Sequence, residues 1–129
     1  MTESVPFYAK KDWTKRDISC EARIDKALES DLEELREFQR SGWDTNAEGY
    51  EFFDHGLAWD FNDDLGAFVY LLGCGGPHRE FRFTTDHNKR VRGISYHFLD
   101  WYDHASRTLS GSDFDLLADV FEVFEEVTV

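Results

Sequence analysis

The apolar residues Ile24, Leu28, Leu32, Leu35 and Phe38 recur at steps of four, four, three and three. That spacing puts them on one face of an α-helix and predicts a helix from about Ser19 to Arg40. Ser30 and Glu33 have capping-box spacing, which would divide the segment into two helices. Ser41-Gly42 supplies the stop, Gly being the usual residue just past a helix end. The period then shortens. Leu57-Ala58-Trp59-Asp60-Phe61 and Glu80-Phe81-Arg82-Phe83-Thr84 alternate, Ala67 to Leu72 is a short apolar run, and Val91 to Leu99 reads as a further strand. The turns between them are Gly73-Cys74-Gly75-Gly76-Pro77 and Asp86 to Arg90. Beyond Ser112, a candidate N-cap followed by Asp113 and Asp115, a second helix carries the stripe Phe114, Leu117, Val120, Phe121 and Phe124. Residues 1–18, with Phe7, Tyr8 and Trp13 among Lys10, Lys11, Lys15 and Arg16, read as an extended arm packing through its aromatics. The expected fold is a single α+β domain over residues 1–129. An antiparallel β-meander of three to four strands is flanked by an N-terminal and a C-terminal helix, packed on one face.

Charge changes this picture most. The chain has 27 acidic residues against 14 Lys and Arg, a formal net charge of −13, with 41% hydrophobic and 16% aromatic residues. The apolar content is enough for a core and too much for a disordered acidic tail. The charge repels nucleic acid and anionic membrane surfaces and attracts basic partners, so direct DNA or RNA binding is not expected. The two cysteines, Cys20 and Cys74, form no CxxC or zinc spacing and suggest a reducing compartment. Neither a signal peptide nor an apolar run of about 20 residues is visible. A cytoplasmic protein is expected, in the host cell cytoplasm if the gene is phage-borne.

The arrangement of the carboxylates is one-sided. On the last helix Asp115, Asp119, Glu122 and Glu126 recur at steps of four, three and four, with Glu125 beside them and no Lys or Arg after Arg107. Between Arg40 and Arg79 there is no basic residue, while Asp44, Glu48, Glu51, Asp54, Asp60, Asp63 and Asp64 are acidic. A rigid carboxylate array can occupy a basic DNA groove on an enzyme, as phosphates do at about one charge per 1.7 Å of duplex. The plain alternative is that both tracts are solvated faces. Arg79, Arg82, Lys89, Arg90 and Arg92 form a basic cluster that either pairs internally or supports a homodimer, and pairing is the expectation.

Two constellations invite a catalytic reading. His97, Asp100, Asp103 and His104 surround Trp101 and Tyr102, but their spacing matches no metal-site pattern, and at a strand end they would not share one face. Cys74 sits on a glycine-rich turn near His78, without a third group to orient a base. No Walker loop, GxGxxG, HExxH or Gly-x-Ser-x-Gly motif is present. An exposed strand end with an aromatic anchor explains the first cluster and a hairpin explains the second. No catalytic residue, metal or cofactor is expected.

Ser41-Gly42-Trp43, Leu71-Leu72-Gly73-Cys74-Gly75-Gly76-Pro77 and Asp100-Trp101, in that order, resemble a family of small acidic proteins encoded by phages and mobile elements. The resemblance covers roughly residues 41–103. It implies a setting in which such proteins inhibit host defence nucleases of CRISPR–Cas or restriction type; the shared pattern is structural, and no site residue is carried across. The leading expectation is therefore a non-enzymatic anti-CRISPR or anti-restriction inhibitor that docks carboxylates on a basic nucleic-acid-handling protein, by DNA mimicry. Its partner-binding residues would be Asp115, Asp119, Glu122, Glu125 and Glu126, then Asp60, Asp63 and Asp64. The alternatives are an immunity protein neutralising a basic nuclease toxin, and a small enzyme using Cys74 or the His97/His104 cluster.

Overall fold

The computed structural model describes residues 19–74 and 76–127, so the arm expected over residues 1–18 lies outside the described residues. Helix α1 spans Cys20–Arg40 without interruption. Its N-cap is Ser19, whose hydroxyl accepts from the Ala22 N–H at 3.1 Å and satisfies one of the first-turn donors. Ser30 stands exposed in mid-helix. The expected alternative of two helices is thus corrected: Leu28, Leu32 and Leu35 lie on one continuous stripe that a break at Ser30 would lift off the core. The helix ends where Gly42 (φ 77°) and Trp43 (φ 64°) turn left-handed, the Trp43 N–H reaching back to the Phe38 carbonyl at 2.7 Å.

A short helix α2, Phe52–His55, leads into the strands β1 (Ala58–Asn62), β2 (Ala67–Gly73), β3 (His78–Thr85), β4 (Val91–Asp100) and β5 (Asp103–Thr108). They form one antiparallel sheet in the order β1-β2-β3-β4-β5. The meander therefore has five strands, not three to four. The unexpected one is β5, where Ala105 is the only buried side chain and no apolar alternation marks the segment. Helix α3 spans Gly111–Val127, placing Ser112 inside its first turn rather than at the cap. The chain reverses one residue earlier, at Gly111 (φ 62°).

Both long helices cover the same face of the sheet. Tyr70, Phe81 and Tyr96 stand side by side on neighbouring strands, as do Phe68, Phe83 and Ile94. These meet Ile24, Leu32, Leu35 and Phe38 from α1 and Leu117, Val120, Phe121 and Phe124 from α3. Trp59 of β1 stacks between Phe68 (5.7 Å between ring centroids) and Phe124 (4.5 Å), tying the edge strand to the helix layer.

One charged group crosses this core. Asp31 of α1 is buried and accepts from Arg79 Nε at 2.8 Å, Arg79 Nη2 at 3.0 Å and the Tyr96 hydroxyl at 2.6 Å. The forked guanidinium and the phenol together supply donors to both carboxylate oxygens, which is what makes a buried charge tolerable. The hydrogen bonds to Asp31 raise the Arg79 pKa against the opposing effect of burial. Burial, reinforced by the Asp31 charge, raises that of Tyr96. Replacing Asp31 by Ala strands a half-buried cation and a buried hydroxyl. Asp31→Ala is expected to cost about 3 kcal/mol in denaturant unfolding; a loss below about 1 kcal/mol, no more than a surface pair gives, would contradict a structural role for this network.

Candidate functional site

The first acidic tract occupies the loop after α1, helix α2, strand β1 and the β1–β2 turn. Asp44, Glu48, Glu51, Asp54, Asp60, Asp63 and Asp64 are all exposed, and none forms an ion pair among the described residues. The same stretch exposes Tyr50, Phe53, Leu57, Phe61 and Leu65, each between 43% and 66% accessible. Scattered apolar residues on a surface need no explanation, but here Phe53 and Leu57 line one crevice and Phe61 and Leu65 one groove, both beside β1, a local concentration of the kind found at interfaces. Local hydrogen bonds shape it. Asp60 Oδ1 accepts from the Phe61 N–H at 2.8 Å, and Asn62 Oδ1 accepts from the Leu65 N–H at 3.0 Å. Gly66, at φ 65°, closes the turn with its N–H on the Asn62 carbonyl.

The second tract lies on α3. Asp115, Asp119, Glu122 and Glu126 project from the face opposite Leu117, Phe121 and Phe124 and are exposed. Asp119 accepts a hydrogen bond from Gln39, and none of the four meets a cation among the described residues. Glu125 is set apart from this stripe, half-buried, with Lys89 Nζ at 3.5 Å. At about 1.5 Å of rise per residue the stripe holds one charge per roughly 5.5 Å of axis, sparser than the duplex value of about 1.7 Å. Glu126 also sits in a last turn that has no basic residue, where the helix dipole opposes it by about 0.3–1 kcal/mol. Folding alone does not favour that placement.

The described basic residues mostly meet carboxylates outside these two tracts. Arg79 is held by Asp31, Arg82 by Glu80, Lys89 by Glu125 and Arg92 by Asp86. The expected internal pairing thus holds for all of the cluster except Arg90. Arg23, Arg36, Arg40 and Arg107 are likewise engaged, by Asp100, by Glu29, Glu33 and Asp113, by Glu33, and by Glu21 and Asp25.

The face of the sheet away from the helices carries a polar cluster. Here Glu80, nearly buried, accepts from Arg82 Nε and lies against His78 Nε2, both at 2.5 Å. Burial works against its ionisation, but the bonds from His78 and Arg82 outweigh it and hold the Glu80 pKa below the ordinary glutamate value. On the next strand His97 Nε2 is 2.8 Å from Ser95 Oγ, and His97 Nδ1 is 3.0 Å from His104 Nε2. Burial, then the Arg82 charge, pushes the His97 pKa down to about 4. Such an array can shuttle a proton between imidazoles.

The His97, Asp100, Asp103, His104 constellation is divided, as its strand-end position implied. His97 and His104 meet on the helix-free face. Asp100 binds Arg23 at 2.8 Å, and Asp103 accepts from the Cys20 N–H at 2.7 Å, both toward α1. Those two bonds brace a two-residue hairpin whose tip, Trp101 (φ 56°) and Tyr102, is almost fully exposed. Cys74 is exposed, and the His78 imidazole is engaged by Glu80. No group of three or more metal-ligating side chains occurs among the described residues.

Sequence reasoning located the carboxylates but missed the apolar residues among them and the Glu80 cluster. The second was readable: His78, Glu80 and Arg82 alternate with Arg79, Phe81 and Phe83, so they must share the face opposite the core. The first had no such signal, because the aromatics between Tyr50 and Phe61 look like core residues until the sheet edge is known.

A histidine whose folded pKa lies below its unfolded value of about 6.5 leaves the unfolded state binding more protons between the two values, so stability falls as pH drops through that window. For His97, lowered to about 4, the expected loss between about pH 7 and pH 4.5 is on the order of 2 kcal/mol. Urea titrations across this range should show that slope, and His97→Gln should remove most of it. An unchanged slope in the variant would mean that His97 is not held neutral by its site.

Comparison of the chain with protein families, with curated proteins and with solved structures finds no match.

Proposed function

We propose that this protein is a non-catalytic inhibitor that docks its unpaired carboxylates onto a basic, nucleic-acid-handling protein, a defence nuclease of CRISPR–Cas or restriction type being the target class. The observation that carries the reading is the coincidence of seven acidic residues without ion pairs among the described residues and five exposed apolar side chains in one stretch, residues 44–65. Carboxylates alone would serve solubility. Together with apolar anchors they have the make-up of an interface, in which burial of large side chains supplies affinity and the charges supply steering and selectivity.

The α3 stripe extends the negative field along the helix and adds to long-range attraction, at a charge spacing closer to that of a single strand than of a duplex. An immunity protein against a nuclease toxin would use the same surface, and the identity of the captured partner separates the two roles. The test is affinity capture from a nuclease-rich bacterial lysate at low and at high salt, read by mass spectrometry. The expected result is a basic nucleic-acid-binding protein retained at low salt, released at high salt and displaced by added duplex DNA. Recovery of no such protein at either salt would overturn the reading.

A further inference from the structure

The geometry points to the way this surface takes its partner: an extended segment with alternating cationic and apolar side chains adds as a sixth strand to the free edge of β1. The inference rests on the proposed function and specifies its mode of binding.

Strand β1 is first in the sheet order, so its outer side has no neighbouring strand among the described residues. Natural sheets blunt such an edge with Lys, Pro, a bulge or a covering element. Strand β1 and its turn, from Ala58 to Gly66, contain neither Lys nor Pro, and the β1–β2 register runs without a bulge from Ala58↔Leu71 to Asn62↔Ala67. The guard here is acidic. The Phe61 N–H donates to the Asp60 carboxylate rather than to another strand. An incoming cation would draw that carboxylate away and leave the amide free to pair. The opposite edge, β5, exposes no large apolar side chain along its length, so the two edges are not equivalent.

Space for side chains is present on both sides of the edge. On the helix-free face a groove of ≈ 420 Å³ runs beside β1, lined in part by Asp60, Phe61, Asp64, Leu65, Val69 and Leu71. At the start of β1 a crevice of ≈ 90 Å³, the share of about three water molecules, lies between Phe53, Leu57, Trp59 and Phe124. Tyr70 lines it, 1% exposed, and its buried hydroxyl has no hydrogen-bond partner among the described residues. An orphaned buried hydroxyl is costly, and a donor or acceptor entering the crevice relieves it. Gly56 helps to keep the place open, because a Cβ there would press into the Tyr70 ring.

Charge decides between occupants. Antiparallel pairing of two β1 edges from two copies of this chain would set Asp60, the central residue of the strand, against its counterpart, between two surfaces of the same negative sign, and like charges across a strand pair are destabilising. A cationic, apolar-alternating segment meets the carboxylates with Lys or Arg and the exposed Phe61 and Leu57 with its other face, while its backbone satisfies the open edge.

The test titrates the isotope-labelled 129-residue chain with three synthetic peptides of about six residues, a usual strand length. One alternates Lys and Val, one has the same sequence with alternate backbone amides methylated, and one alternates Glu and Val. The Lys–Val peptide is expected to shift the amides of residues 57–65. It should bind at least about tenfold more tightly than either control, the loss expected for two or more backbone bonds. Asp60→Asn/Asp63→Asn/Asp64→Asn should weaken it about tenfold while retaining the native amide spectrum. Equal binding of the methylated peptide, shifts confined to residues 115–126, or concentration-dependent self-pairing of β1 would overturn strand addition. In those cases salt-released capture of a basic protein would still stand. Absence of that captured protein would remove the functional reading itself.

Discussion

With 27 acidic residues and 14 Lys and Arg, this chain cannot neutralise its own surface, so the placement of the cations determines which faces stay negative. The described arginines other than Arg90 are spent on pairs within the fold. Arg79 enters the core to meet Asp31, Arg23 and Arg107 join α1 to the β4–β5 hairpin, and Arg36 joins α1 to Asp113 on α3. Every one of these pairs lies on the side of the molecule formed by α1, β3–β5 and the start of α3. What remains is a continuous stretch from Asp44 to Asp64, and the outer stripe of α3, whose carboxylates form no ion pair among the described residues.

That partition connects folding with binding. Asp31, Arg79 and Tyr96 lock the long helix onto the centre of the sheet, where a half-satisfied network would be worse than none. The aromatic stack of Trp59 with Phe68 and Phe124 then holds β1 in place although its other side chains face solvent. The edge is thereby anchored to the helix layer, with no strand on its outer side among the described residues. An edge already held in its extended form loses less conformational entropy when a partner arrives. The braced Trp101–Tyr102 tip follows the same logic on the opposite side of the sheet, its left-handed Trp101 held by Asp100 and Asp103.

Much of this was legible from residue patterns. The helix of Ile24 to Phe38 and the Phe114–Phe124 stripe follow from spacing, β1 and β3 from alternation, and β2 and β4 from apolar runs bounded by the turns at Gly73–Pro77 and Asp86–Arg90. Strand β5 was not legible, because Asp-His-Ala-Ser-Arg-Thr buries one small side chain and owes its place to pairing with β4. Ser30 misled because a capping-box spacing inside a continuous apolar stripe carries no signal of its own. For the site, the two acidic tracts could be named from the absence of Lys and Arg within them. The exposure of Phe53, Leu57 and Phe61 could not, because whether an aromatic lies in the core or on an edge depends on the sheet order. Glu125 illustrates the same limit: one residue from the stripe, it turns to Lys89.

Amide hydrogen–deuterium exchange of the protein alone and bound to its captured basic partner, both at low salt, tests the central claim most directly. The account predicts new protection over residues 57–65, with smaller changes on α3 and none on the helix-free face around His97. Protection centred on His78, His97 and His104, with the acidic edge unchanged, would contradict it.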